Sequence, residues 1–200
     1  MANIIRKMLK NRLALSTVIT TLIILVVSVL LAGVVTYFAI NVVSTRVQQE
    51  SISVSDAHIW VPATNTGTAG IEAAMLITNT GGRDVVISQI QVRGQSSTFG
   101  TGGNVYYAVK GTGDTIPSTL APISAVTGIT NGLPFGGTTN KLVLSGTDLV
   151  LSSGGTMVVY ITSPDSVTIN DVGLTIGLNV FTAQAMYYQE TNVQAYSGTL

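Results

Sequence analysis

Cysteine is absent from all 200 residues, and histidine occurs once, at His58. The first absence excludes disulfides, thiol catalysis and thiolate metal sites, and the second leaves almost no nitrogen ligand for a metal. Proline is scarce, with none before Pro62, so no ring interrupts the first 61 residues. Charge is sparse as well: only 9% of residues are ionic, nine basic against nine acidic. Their placement is uneven, because Arg6, Lys7, Lys10 and Arg12 occupy the first 12 positions. Beyond them five basic residues face nine acidic ones, a net of −4, which offers no basic patch and excludes nucleic acid as an expected partner. The chain also lacks a G-x-S-x-G elbow, a phosphate-cradling loop and an H-E-x-x-H helix. Its carboxylates stand singly, mostly at turn positions, so no catalytic residue, cofactor or metal site is expected. An acidic all-β domain is compatible with calcium, but these positions define no ligand set.

What the sequence has in excess is uncharged length. Leu13–Thr45, LALSTVITTLIILVVSVLLAGVVTYFAINVVST, runs for 33 positions without a charge, and Gly33 is its only glycine. One continuous helix is expected, with lipid or protein surroundings overriding the weak helix propensity of its many β-branched residues. At 1.5 Å per residue it would span about 50 Å, against a hydrocarbon core of roughly 30 Å. Tilt alone would have to reach about 53°, beyond the usual range of helix tilts. The basic cluster precedes the run and only Arg46 follows it closely, which places residues 1–12 in the cytoplasm and residues 46–200 outside.

Three readings compete for the segment. A removed secretory signal has an apolar core half as long, followed by a small-residue cleavage site that is missing here. A permanent anchor accounts for the charges but not for the surplus length. A helix that first waits in the membrane and later packs against copies of itself accounts for both, since protein neighbours replace lipid along its whole length.

The short basic leader followed by RLALSTVITTLIILVVSVLLAGVV resembles the class III signal sequence of archaeal type IV pilin-like proteins, a superfamily that includes adhesion pilins and archaellins. The resemblance implies that a prepilin peptidase cuts before the apolar helix and leaves it attached. It places the cut between Ala14 and Leu15, with Arg12/Leu13 as the alternative. Ile19 stands where glutamate is common at the fifth mature position, which points away from an archaellum and toward an adhesion pilus. The further partners implied are a pilus assembly ATPase and its membrane platform, and the chain itself as a helical homopolymer. Leu15, Val18, Leu22, Leu25, Val26, Val29, Leu30, Val34 and Phe38 recur at helical spacing and form the expected polymerisation stripe. Ser16, Thr17, Thr20 and Thr21 cluster on one side of the same helix. Either they satisfy one another between subunits or each hydroxyl bonds back to its own helix.

From residue 52 the period changes. Ser53–Val61, Ala73–Thr78, Val85–Val92, Asn104–Val109, Lys141–Leu144, Thr156–Ser163, Gly173–Thr182 and Ala185–Gln194 read as strands, separated by clusters such as TNTGTAG, TNTGGRD, NGLPFGG and LSSGGT. The expected fold class is α+β: a long N-terminal hydrophobic helix, then an all-β antiparallel sandwich of Ig-like type. The expected divisions are a leader over residues 1–14, a helix over 15–51 and an outer domain over 52–200. The strongest hairpin signal is AAMLITNTGGRDVVISQIQVRG, with Asn79–Asp84 as its turn. This AMLITNTGG–VVISQIQV stretch is also similar to the outer domains of archaeal pilins and archaellins. Gly111–Asn140 is the least regular section and reads as long surface loops. His58 beside Trp60 is expected as packing, with a ligand or pH-sensing role as the alternative.

Serine and threonine number 44, so the exposed face of so uncharged a chain is largely hydroxyl. Such a face suits close lateral packing and offers attachment sites for O-linked sugars, whereas no N-x-S/T sequon occurs. Together these features give a structural, non-enzymatic expectation: a subunit of an extracellular, cell-surface adhesion filament, reached through a membrane-inserted precursor. The alternatives are an uncleaved membrane-anchored surface binding protein and an archaellum subunit.

Overall fold

A computed structural model describes residues 2–63, 70–123, 134–136 and 140–197, with helix side chains 2–3, 5, 7–14 and 46 outside that description. The turn cluster at 64–70, most of the one at 131–137 and the middle of the 111–140 section therefore fall largely outside the described residues. The chain divides into two compact units, residues 1–47 and 48–200.

The first unit is one unbroken helix, α1, over Ala2–Val47. It starts 13 residues before the expected position, because Ile4 to Lys10 are competent helix formers with no glycine or proline among them. It also stops before residue 51. The Ser51 carbonyl accepts the amides of Thr80 (2.9 Å) and Gly81 (3.0 Å), and that pairing commits the chain to extended backbone.

The second unit holds ten strands: β1 (Ile52–Pro62), β2 (Glu72–Asn79), β3 (Val85–Val92), β4 (Gln95–Ser96), β5 (Val105–Val109), β6 (Val143–Leu144), β7 (Leu149–Leu151), β8 (Thr156–Thr162), β9 (Thr175–Thr182) and β10 (Met186–Tyr196). They hydrogen-bond in the order β4-β3-β9-β10-β1-β2-β8-β5-β6, with β7 paired to β3. All pairs are antiparallel except β1 with β10, where Ile59–Pro62 runs parallel to Val193–Tyr196. The fold is α+β, a long apolar helix followed by a mostly antiparallel sheet curled into a half-barrel.

Alternation drives the curl. Inward residues such as Ile59, Met75, Ile87, Val159, Leu178 and Val180 are all fully buried and meet in one core. The sheet wraps that core because β10 changes partners along its length, pairing with β9 up to Asn192 and with β1 from Val193. A second core lies on the opposite face of β1, β2, β8 and β5. There Trp60, Ala74, Leu76, Val158 and Tyr160 pack under Leu120, Phe135 and Leu142. Strands β2 and β8 are consequently buried on both faces, which explains their uninterrupted apolar runs.

Two expectations are corrected here. The stretch from Ala73 to Gly94 is not a hairpin: β2 pairs with β1 and β8, while β3 pairs with β9, β7 and β4. A strand buried on both faces takes a partner on each edge, and Asn79 redirects the chain after it. The Asn79 side-chain amide donates to the Arg83 carbonyl at 2.8 Å and to the Leu151 carbonyl at 3.0 Å. Secondly, the described part of the 111–140 section is not merely surface loop, since Leu120 and Phe135 are buried against the sheet.

Candidate assembly helix and the clamped strap

Within α1, the span Leu15–Thr45 is long and apolar enough to cross a membrane, and none of it is buried. All nine residues of the expected polymerisation stripe are exposed, from 45% at Val26 to 69% at Phe38. So are Ile19, Ile23, Ile24, Val27, Leu31, Val35 and Ile40. The helix is apolar all round, and exposure does not single out the stripe drawn from the sequence.

Five of its hydroxyls bond back to carbonyls of the helix itself. Thr20 donates to the Ser16 carbonyl (2.9 Å), Thr21 to Val18 (2.9 Å), Ser28 to Ile24 (2.6 Å), Thr36 to Ala32 (2.8 Å) and Thr45 to Asn41 (2.8 Å). For Thr20 and Thr21 this decides between the two readings in favour of back-bonding. Each such bond removes the cost of carrying a hydroxyl into an apolar medium. A Cβ placed on Gly33 would meet no other atom within 4 Å. Ala14, Leu15, Arg12 and Leu13, the expected processing positions, all lie inside continuous helix. The side chains of Arg12, Leu13 and Ala14 fall outside the described ones, and Leu15 is exposed.

The second cluster is built on β1. Asp56 sits at a bulge, with φ of +48°, where the pairing with β2 shifts between Ser55 and His58. That twist sets Asp56, His58 and Trp60 on the face opposite the main core. Asp56 Oδ1 lies 2.9 Å from His58 Nε2, and Thr119 Oγ1 lies 3.1 Å from the same nitrogen. The imidazole stacks on Trp60 at 5.2 Å between ring centroids, and Trp60 stacks on Tyr160 at 6.4 Å.

These side chains hold down a strap of backbone. Leu120 N–H donates to Asp56 Oδ2 at 2.7 Å, Tyr160 O–H donates to the Ala121 carbonyl at 2.8 Å, and Ile123 N–H donates to the fully buried Glu72 at 2.8 Å. Burial, followed by the negative charge of Glu72, pushes the Tyr160 phenol well above its ordinary range. Beside the strap is a cavity of about 260 Å³ lined by Pro117, Ile123, Pro134, Phe135 and Tyr160 among others, with no carboxylate or imidazole in its wall.

Chemically the cluster holds its parts in place. A nucleophilic triad needs the carboxylate and the hydroxyl on different imidazole nitrogens, but here both address Nε2, and among the described residues the buried Nδ1 has no partner. The carboxylate 2.9 Å from Nε2 calls for a proton on that nitrogen. Asp56-x-His58-x-Trp60 is legible as one strand face. Thr119, Leu120 and Ile123 arrive from more than 50 positions away, and no spacing in the sequence announces them. Among the described residues, no three acidic or imidazole side chains converge as they would on a metal.

The sequence matches no protein-family model and no curated protein. Among solved structures, one aligned chain comes from a study of glycolipid glycan hydrolysis by a family 123 glycoside hydrolase of Clostridium perfringens. The alignment covers 76% of this chain and 28% of that one, at 8% identity and a TM-score of 0.30. This chain therefore spans less than a third of that protein's length, and at that score the likeness assigns neither fold nor activity.

Proposed function

We propose that this protein is the structural subunit of an archaeal, extracellular, type IV pilus-like filament that serves adhesion. The carrying observation is α1: an apolar span of 31 residues, exposed on every side. At about 46 Å it outruns a bilayer by roughly half, so lipid alone leaves part of it uncovered. Copies of the same helix have no thickness limit. After leader removal the helices leave the membrane and bundle, each overlapping axially displaced neighbours, while the β domains form the sheath. Contacts of this head-to-tail kind do not close, so they propagate as a helix. Burial where water is the reference contributes about 25 cal/mol per Å².

On this reading the β domain is an Ig-like sandwich, its two sheets being the β1-β2-β8-β5-β6 half and the β3-β9 half, joined through β10. The role is mechanical and requires no catalytic residue or cofactor. Processing between Ala14 and Leu15 by a prepilin peptidase requires local opening of α1, because a peptidase acts on opened rather than helical backbone. Assembly then uses an ATPase and a membrane platform, and surface hydroxyls are available to O-linked sugars.

The test is intact mass and N-terminal sequencing of protein sheared from cell surfaces, with negative-stain microscopy of the same fraction. A start at Leu15 or Leu13 in thin fibres is the expected result. A species beginning at Met1, found only in detergent-solubilised membranes without fibres, would make the protein an uncleaved surface anchor instead.

A further inference from the structure

The two faces of the β domain are finished differently. Outside β1, β2 and β8 the strap covers the sheet, whereas the outer face of β3, β9 and β10 carries large exposed side chains that no described residue of the β domain covers. Ile176, Leu178 and Val180 of β9 point into the core, so Gly177, Asn179 and Phe181 point outward. The register sets them in rows. Tyr188 lies opposite Asn179, and Met186 opposite Phe181. On the other edge of β9, Gln91 lies opposite Asn179 and Gln89 opposite Phe181.

Tyr188 and Met186 are each 56% exposed. The Tyr188 ring is held in place: it covers Gly177, where any Cβ would run into the ring carbons, and its hydroxyl donates to Glu190 Oε1 at 2.7 Å. That bond keeps the phenol protonated by raising its pKa. The face thus combines a fixed aromatic plate and a second ring with three amide side chains, each able both to donate and to accept. Among the described residues these rows carry one anion, Glu190; Arg93, whose N–H donates to the Gly177 carbonyl at 2.9 Å, directs its guanidinium to Asp171 at 2.9 Å.

We propose that this face is a binding platform for a neutral polysaccharide. An exposed ring pinned flat offers its apolar surface to the C–H face of a pyranose, and amides spaced along adjacent strands match pairs of hydroxyls. The engagement of Arg93 with Asp171 argues against an anionic ligand. Gln89 already donates to Ser96 Oγ at 2.5 Å, but Asn179 and Gln91 beside the rings would be left unpaired under a purely apolar partner, at a cost for each group. The inference deepens the adhesive reading above by naming the chemistry that would be gripped.

The experiment equilibrates the full-length protein, in a polyoxyethylene detergent that carries no sugar headgroup, with beads bearing mannan, dextran or chitin oligosaccharides, and with heparin beads for comparison. Retention on at least one neutral bead is expected, reduced about tenfold by Tyr188→Ala and less by Tyr188→Phe. Both variants should keep the wild-type circular dichroism spectrum. Absence of retention on all three neutral beads, equal retention on heparin, or indifference to Tyr188→Ala would each overturn the proposal. So would a Tyr188→Ala protein whose oligomeric state changes while the wild type binds no bead, since the face would then be a contact between copies. Retention in detergent requires neither cleavage nor polymerisation. A protein that binds mannan and yields no fibres keeps the platform and loses only the filament reading.

Discussion

Leu120 donates its amide proton to Asp56 at 2.7 Å, across 64 positions of sequence. That bond fastens the strap to the sheet at a residue whose own backbone has a positive φ. The two functions of Asp56 separate by substitution. Asp56→Asn tolerates the left-handed backbone and keeps an acceptor, so it should cost about 1 kcal/mol. Asp56→Gly keeps the backbone but abandons the amide, and should cost about 1–3 kcal/mol. Asp56→Ala adds strain of about 1 kcal/mol or more to that loss. Thermal unfolding ranks the three, and Trp60 fluorescence reports whether the strap has lifted.

Tyr160 predicts a signed alkaline effect. Its phenol titrates higher in the folded chain than in the unfolded one, because burial and the neighbouring Glu72 disfavour the phenolate. Stability from this group is therefore complete below the unfolded pKa of about 10 and declines as pH rises beyond it, by at most about 1.4 kcal/mol per pH unit. Tyr160→Phe should be less stable at pH 8, by about 1 kcal/mol for the lost bond to Ala121. Above pH 10 the gap should narrow. Parallel melts from pH 8 to 11.5 check this, and a constant gap would contradict it.

Two glycines should respond in opposite ways. A Cβ at Gly81 would stand 2.8 Å from both the Gln49 carbonyl oxygen and the Ser51 nitrogen, and backbone on both sides gives little. Gly81→Ala should destabilise the β domain by about 1–3 kcal/mol, read from denaturant unfolding. Gly33 has no such neighbour. Gly33→Leu should leave the isolated subunit as stable as before, yet reduce or abolish fibres if helices approach closely there. Microscopy of sheared fractions decides the second half.

Charge and processing variants divide filament from anchor. Val26→Lys places a charge near the middle of the apolar span, at a cost of about 2.5–3.5 kcal/mol for a lysine at the centre of a membrane helix. Membrane retention and fibres should both fail. Ala14→Asp should block leader removal and fibres while the protein stays in the membrane fraction. Fibres of normal abundance from Ala14→Asp would contradict the assigned cut.

How much of this was legible depended on how local each signal is. The helix was visible in 33 uncharged residues, and β3 falls on Val85–Val92, as its alternation indicates. The eight expected strands all exist, with ends displaced by at most two residues. Strands β4 and β7 were missed because two or three residues carry no period. The β2–β3 turn chemistry was real but misread: Asn79 and Gly81 do reverse the chain, yet the seven buried residues of β2 called for two other partners. The parallel pairing of β1 with β10, and the arrival of Thr119 at His58, join positions that no window of sequence contains. The rows of the outer face were likewise hidden, since Tyr188, Asn179 and Gln91 become neighbours only once register is known.

The change of partner along β10 bears on when the β domain can form. Trp60 is aligned with Gln194, near the opposite end of the chain. At ordinary rates of synthesis, the residues that seal β1 emerge on the order of 10 s after β1 itself. The apolar helix is made first, and on the filament reading proposed above it is already in the membrane while the β domain is still an incomplete chain. A strand edge that waits this long is open to pairing with another chain. Completion of the domain thereby waits on the far end of β10, so a chain that stops short of Val193 presents an open β1 rather than a finished surface.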